Sequence, residues 1–210
     1  MGGREFELLV KSGNSLSPKG MPEGWTTIKY LTSEQTARFF AAISVPRDRA
    51  LFATIYHYGL RVSETTLLGL EDVSLERGRI RIRRLKSGLG GERPLLLNTA
   101  MLIRAYLPER LATGTALFTG RQGNLKRQRI QQLFHGYAAA AGLPPEFSVH
   151  CLRHSIATHL LDAGFGTEFV QDHLGHVNIQ NTLVYARLTD RRRDQVYEQM
   201  EQSPEIVRCH

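Results

Sequence analysis

Six residues stand out because their types and order could act on a phosphate ester. Arg61 lies within Gly59-Leu60-Arg61-Val62-Ser63-Glu64, and Lys86 precedes the glycine-rich Ser87-Gly88-Leu89-Gly90-Gly91. His150 and Arg153 share His150-Cys151-Leu152-Arg153, where a spacing of three puts both on one helix face. His176 closes Leu174-Gly175-His176, and Tyr185 follows it. The set supplies fixed cations, two imidazoles and one phenol, without an acidic cluster of the kind that holds magnesium. That suits phosphoryl transfer without a metal. Two guanidiniums match the two non-bridging oxygens of a phosphodiester, and donors fixed where charge builds up give the largest catalytic effect. A phenol with a pKa near 10 needs positioning and a proton acceptor before it can attack. A departing 5′ alkoxide needs a proton donor, for which Lys86 is the candidate. Taken singly, each residue has a plainer role. Arg61 could pair with Glu64 at a helix end, and His176 could face a helix C-terminus. Lys86 could be a solvated turn lysine, and Tyr185 a half-buried core residue. The ordered set carries the inference.

These residues need elements to hold them. Thr32 or Ser33 caps a helix with Ala37, Phe39, Phe40 and Ile43 on its apolar side. Pro46 opens a second helix, with Leu51, Phe52, Ile55 and Tyr56 at helical spacing, and Gly59 ends it. Ser63 is expected to cap a third helix, with Leu67, Leu68 and Leu70 facing inward. Arg61 then sits in the joint between two helices. Arg-Ile-Arg-Ile-Arg at 79–83 alternates as a half-buried strand with a basic outer face. Residues 93–97 return as its hairpin partner, and Pro94 suggests an edge position. Further helices are expected at 99–111, 124–141 and 150–163, and from Thr167 to a stop at Gly175. The fold class is mainly α with a small antiparallel β-sheet.

Composition narrows the function classes. The chain has 210 residues, 41% of them hydrophobic, which suits a globular core and excludes wholesale disorder. No apolar run reaches the length of a membrane span, and the N-terminus does not read as a signal peptide. Cys151 and Cys209 form no disulfide framework or zinc module, consistent with a reduced cytoplasmic setting. The net charge of +7 favours a polyanionic partner, nucleic acid before an acidic membrane surface.

The stretch His150-Cys151-Leu152-Arg153-His154-Ser155-Ile156-Ala157-Thr158-His159, continued through Asp172-His173-Leu174-Gly175-His176 to Tyr185, resembles the signature of the tyrosine recombinases, the phage-integrase family. Both of its intervals match, and the Gly59–Glu64 and Lys86 stretches resemble the family's other two boxes. The resemblance implies the family's catalytic-domain fold of DNA breaking-rejoining enzymes. It implies that Tyr185 attacks the scissile phosphate to give a 3′-phosphotyrosyl link. Arg61, Arg153 and His176 would bind the phosphate oxygens, His150 would take part in proton transfer, and Lys86 would protonate the leaving oxygen. Glu64 would orient Arg61. Neither metal, cofactor nor ATP is implied.

The expected organisation is an N-terminal arm at 1–29, a catalytic domain at 30–189, and a tail at 190–210 that docks on a neighbouring protomer. Double-stranded DNA is the expected partner, with Arg81, Arg83, Arg121, Lys126, Arg127 and Arg129 gripping it. A homo-tetramer on two sites is expected, with room for accessory DNA-bending proteins and with no membrane association. Most family members carry an N-terminal DNA clamp, so either a clamp is missing here or this is a single-domain member. Two alternatives stand beside recombination. One is DNA relaxation like that of a type IB topoisomerase, against which His150 argues. The other is a non-catalytic DNA-binding regulator derived from a recombinase, against which the complete set of six argues.

Overall fold

The computed structural model describes residues 28–84, 90–111, 114–121 and 123–176. The expected arm up to residue 27 and the tail at 190–210 lie outside the described residues, as do Lys86, Tyr185 and Cys209.

Helix α1 spans Ser33–Ala41. Thr32 caps it reciprocally: its Oγ1 accepts from the Gln35 N–H at 3.1 Å, and Gln35 Oε1 accepts from the Thr32 N–H at 3.0 Å. Helix α2 spans Pro46–His57, with the proline in its first turn. The expected third helix is a single turn, α3, Val62–Thr65, and Arg61 rather than Ser63 occupies its cap position. Glu64 determines that start by accepting the Arg61 N–H. The turn ends early because the Asp72 carboxylate takes the Gly69 N–H and opens a 3₁₀ turn at Leu70–Asp72. Of Leu67, Leu68 and Leu70, only Leu68 is therefore buried; the other two are 44% and 39% exposed.

Strands β1 (Val73–Ser74), β2 (Arg79–Ile82) and β3 (Gly91–Pro94) form an antiparallel sheet in that order. Ile80 and Ile82 face the core, while Arg79 and Arg81 face out. Pro94 lies on an edge strand, opposite Arg79. Helix α4 is Leu97–Tyr106, and Pro108 lies in the 3₁₀ turn Leu107–Glu109 that ends the segment expected to be helical to 111. A second pair, β4 (Thr119–Gly120) and β5 (Gly123–Asn124), takes up Asn124, the residue expected to begin the next helix. Helix α5 accordingly starts at Arg127 and runs to Ala140. Helix α6 is His150–Asp162, and α7 is Thr167–Leu174 with Gly166 at its cap.

The core is built on α2, whose Leu51, Phe52 and Ile55 are fully buried. The ring of Phe39 from α1 packs against Phe52 and against Phe134 of α5, with centroids 5.4 and 5.0 Å apart. A smaller cluster of Ala157, Leu161, Val170 and Leu174 joins α6 to α7. These two cores bring the end of α2, the start of α6 and the end of α7 to one place.

Candidate active site

The joint after α2 is made possible by Gly59. Its φ is +55°, and a Cβ there would lie 2.4 Å from Leu174 Cδ2. The Gly59 carbonyl is thereby presented to Arg153 of α6, whose Nη1 donates to it. Arg153 Nη2 donates to the Leu174 carbonyl at 3.0 Å. One buried guanidinium thus ties the end of α2 to the end of α7.

Arg61 is held at the same joint by Glu64. Its N–H and Nη1 donate to the two oxygens of that carboxylate, at 2.9 and 2.8 Å. The Glu64 side chain is fully buried, whereas that of Arg61 is 37% exposed. Arg153 Nη1 lies 4.0 Å from Glu64 Oε2. Burial alone would raise the Glu64 pKa. The hydrogen bond from the Arg61 N–H and the charge of Arg84 outweigh it, so the carboxyl sits below its usual range. The plain structural reading of Arg61, an ion pair with Glu64 at a helix end, holds, and the pair fixes where the guanidinium lies.

The C-terminus of α7 carries orphan carbonyls and a partial negative charge. Arginines from three separate segments donate to the last three carbonyls, that of Asp172 also accepting the Gly175 N–H. Arg93 Nη2 donates to the Asp172 carbonyl at 2.9 Å, Arg84 Nη2 to that of His173 at 2.6 Å, and Arg153 to that of Leu174. Gly175, at φ +67°, then turns the chain and places His176, which is 8% exposed. Gln171 clamps His176 on both backbone sides, accepting its N–H and donating Nε2 to its carbonyl, each at 3.0 Å.

Burial first, and then the neighbouring cations, lower the pKa values of the histidines. Burial, then the charges of Arg153 and Arg61, push His176 down to about 4. His150, in the first turn of α6, is held below its ordinary value by desolvation and by the same two arginines. His154 packs edge-to-face on His150 at 4.7 Å, and burial with the neighbouring imidazole and Arg153 lowers it to about 3. At neutral pH, His176 and His150 are thus uncharged. His150 can accept a proton, and His176 can donate one N–H to an oxyanion without adding charge. His159 lies apart, with Nδ1 2.7 Å from the Tyr56 hydroxyl. Among the described residues no group of three or more His, Cys, Asp or Glu could hold a metal ion.

The structure therefore brings Arg61, Glu64, His150, Arg153 and His176 together. It also adds Arg84, which sequence reasoning passed over. The missed signal was the strand alternation itself: the period that turns Ile80 and Ile82 inward continues to Arg84, and the side chain is fully buried.

The expected DNA-gripping residues fall into two groups. Arg121, Lys126 and Arg129 line a cavity of about 910 Å³ between the β4–β5 pair and α5, together with Arg47. Arg127 is exposed at the start of α5, outside that lining. Arg81 is exposed on β2. Arg83 is engaged by carboxylates, at 2.9 Å from Asp72 and 3.2 Å from Glu71.

The phage integrase family model matches residues 29–192. The chain belongs to that family. Among the curated members, tyrosine recombinase XerC of Chromobacterium violaceum is 33% identical over 197 residues, covering 91% of this chain and 63% of the relative. XerA of Thermococcus kodakarensis is 35% identical, covering 88% of this chain and 66% of the relative. The type 1 fimbriae regulatory protein FimE of Escherichia coli K12 is 33% identical, covering 75% of this chain and 84% of the relative. The chain thus spans less than two thirds of the XerC and XerA relatives. Its fold is that of the family's catalytic domain. The crystal structure of XerA recombinase matches 88% of the chain and 66% of its own length, at a TM-score of 0.71 and 26% identity. XerH bound to a palindromic difH substrate matches at a TM-score of 0.71 over 87% of the chain and 57% of its own length, at 22% identity. No helix among the described residues of this phage integrase family member is long and apolar enough to cross a membrane.

Proposed function

We propose that this chain is a site-specific DNA recombinase that cleaves and rejoins strands through a 3′-phosphotyrosyl intermediate, acting on double-stranded DNA in the cytoplasm. The observation that carries the reading is the arrangement of Arg61 and Arg153 about Glu64, with two uncharged histidines beside them. Arg61 and Arg153 bind the non-bridging oxygens and offset the charge that grows there. His176 adds a neutral donor. Tyr185 attacks phosphorus, and its proton passes to His150. The bond from phosphorus to the 5′ oxygen breaks, and Lys86 gives that oxygen a proton. A 5′ hydroxyl from a second duplex reverses the steps, and the phosphotyrosine conserves the bond energy for rejoining. Arg81, Arg121, Lys126, Arg127 and Arg129 hold the duplex, and protomers assemble as a tetramer on two sites, with residues 190–210 docking between them.

The test is covalent trapping in EDTA on nicked duplexes taken from the DNA flanking the gene. A denaturant-resistant adduct that is lost in Tyr185→Phe supports the reading. An adduct retained in that variant overturns the nucleophile, and relaxed plasmid without recombinant product points to topoisomerase-like activity instead.

A further inference from the structure

Arg84 is a charged side chain with no exposure at all, and it engages more than one partner. Nη1 donates to Glu64 Oε2 at 2.8 Å, and Nη2 donates to the carbonyls of Tyr58 at 3.0 Å and His173 at 2.6 Å. Its Nε is buried without a hydrogen-bond partner. A Cβ on Gly175 would lie 2.9 Å from that nitrogen. The guanidinium is thus wedged between the end of α2, the carboxylate of α3 and the end of α7. Those are the segments that carry or buttress Arg61, Arg153 and His176.

Packing alone does not call for an arginine there. A buried ion pair is often no more stable than well-packed apolar side chains of the same volume. The charge has a more specific consequence at Glu64. Among the described residues three arginines surround that carboxylate: Arg61 and Arg84 touch it at 2.8 Å each, while Arg153 stands at 4.0 Å. Arg84, together with the Arg61 N–H, occupies the oxygen, Oε2, toward which Arg153 would otherwise be drawn.

We infer that Arg84 is a positioning residue of the phosphate site: by saturating Oε2 of Glu64 and clamping the ends of α2 and α7, it keeps the Arg153 guanidinium off that carboxylate and directed at the scissile phosphate. This rests on the recombinase reading above. Arg84 touches no reacting atom; it acts through Arg153, Glu64 and the carbonyls of Tyr58 and His173. A neutral side chain at 84 lets Arg153 collapse onto Glu64. A lysine keeps the charge but lacks the planar fork that serves the carboxylate and the carbonyls together.

The experiment uses the full chain and single-turnover adduct formation at saturating nicked duplex. Arg84→Met and Arg84→Lys are compared with the wild type on two substrates: a normal scissile phosphate, and a methylphosphonate that lacks one charged oxygen. Arg84→Met is expected to lose about 100-fold in cleavage rate on the phosphate, the loss typical of one misplaced oxyanion donor. DNA affinity is expected to stay within about threefold, and Arg84→Lys to fall between the two because it keeps the charge without the fork. On the methylphosphonate, which demands less charge neutralisation, the defect of Arg84→Met should shrink to about tenfold or less. Equal losses on both substrates would mean a general folding defect and overturn the inference, as would an unchanged rate on the phosphate. Wild-type protein that forms no adduct on either substrate overturns the recombinase reading and the phosphate role of Arg84 with it. A wild-type adduct with indifferent variants overturns Arg84 alone.

Discussion

Glu64 holds Arg61 at both ends of the same residue: one carboxylate oxygen accepts the backbone N–H at 2.9 Å and the other accepts Nη1 at 2.8 Å. The first bond starts helix α3, and the second aims the guanidinium. A single buried acid therefore controls a local fold and a candidate phosphate ligand together.

Removing that charge is expected to be costly. Glu64→Gln leaves Arg84 buried without a counter-charge, and breaking a buried pair in this way typically costs about 3–5 kcal/mol. Because the Glu64 pKa lies below its ordinary 4.5, its contribution is complete above that value and is lost as pH falls through the folded-state pKa. Urea unfolding should show a gap between wild type and Glu64→Gln that is constant near neutrality and narrows below pH 4.5. A gap that stays constant into acid would argue against the pairing.

The buried imidazole gives a second pH signature. His176 titrates near 4 in the folded chain and near 6.5 when unfolded, so between those values the unfolded state binds the extra proton. Its contribution is complete above about 6.5 and is withdrawn as pH falls toward 4. The stability of His176→Asn should consequently fall less steeply than that of the wild type across that interval. Equal slopes in denaturation series would show that His176 does not titrate as described.

Gly59 is tested by adding one methyl group. Gly59→Ala must accept a φ of +55° and an approach of 2.4 Å to Leu174 Cδ2. Backbone strain and overpacking of this kind each cost roughly 1–3 kcal/mol. We expect the loss in thermal unfolding together with slower DNA cleavage, because the carbonyl that receives Arg153 moves with the joint.

For Lys86 the leaving group can be changed rather than the protein. Lys86→Ala should reduce cleavage by about 100- to 10,000-fold, the usual worth of a placed general acid. A duplex with sulfur in place of the bridging 5′ oxygen leaves as a thiolate and needs no proton. It should restore most of the rate, and failure of that rescue would assign Lys86 another task.

The cavity beside α5 makes an ionic-strength prediction. Replacing Arg121, Lys126 or Arg129 by alanine should lower DNA affinity similarly for all sequences. Each replacement should also reduce the slope of log affinity against log salt by about one for every phosphate left without its cation. A slope that does not change for any of the three would place the duplex elsewhere.

What the sequence determined by itself is what depends on near neighbours along the chain. The Thr32 capping box, the proline at the start of α2, the alternation of Ile80 and Ile82, the edge position of Pro94 and the stop at Gly175 all follow from interactions within a few residues. The motif residues were legible for the same reason, since side-chain type and spacing are written in the chain. Tertiary structure decided the rest. The third helix is one turn because Asp72 competes for the Gly69 N–H, and β5 takes Asn124, where the expected helix began. Arg84 was passed over in the sequence. It became the hub only when three distant segments enclosed it, and a charge out of water must then find partners that no local pattern announces. The histidines likewise owe their lowered pKa values first to burial and then to arginines brought close by the fold, because desolvation and Coulomb energy both depend on what surrounds a group in space.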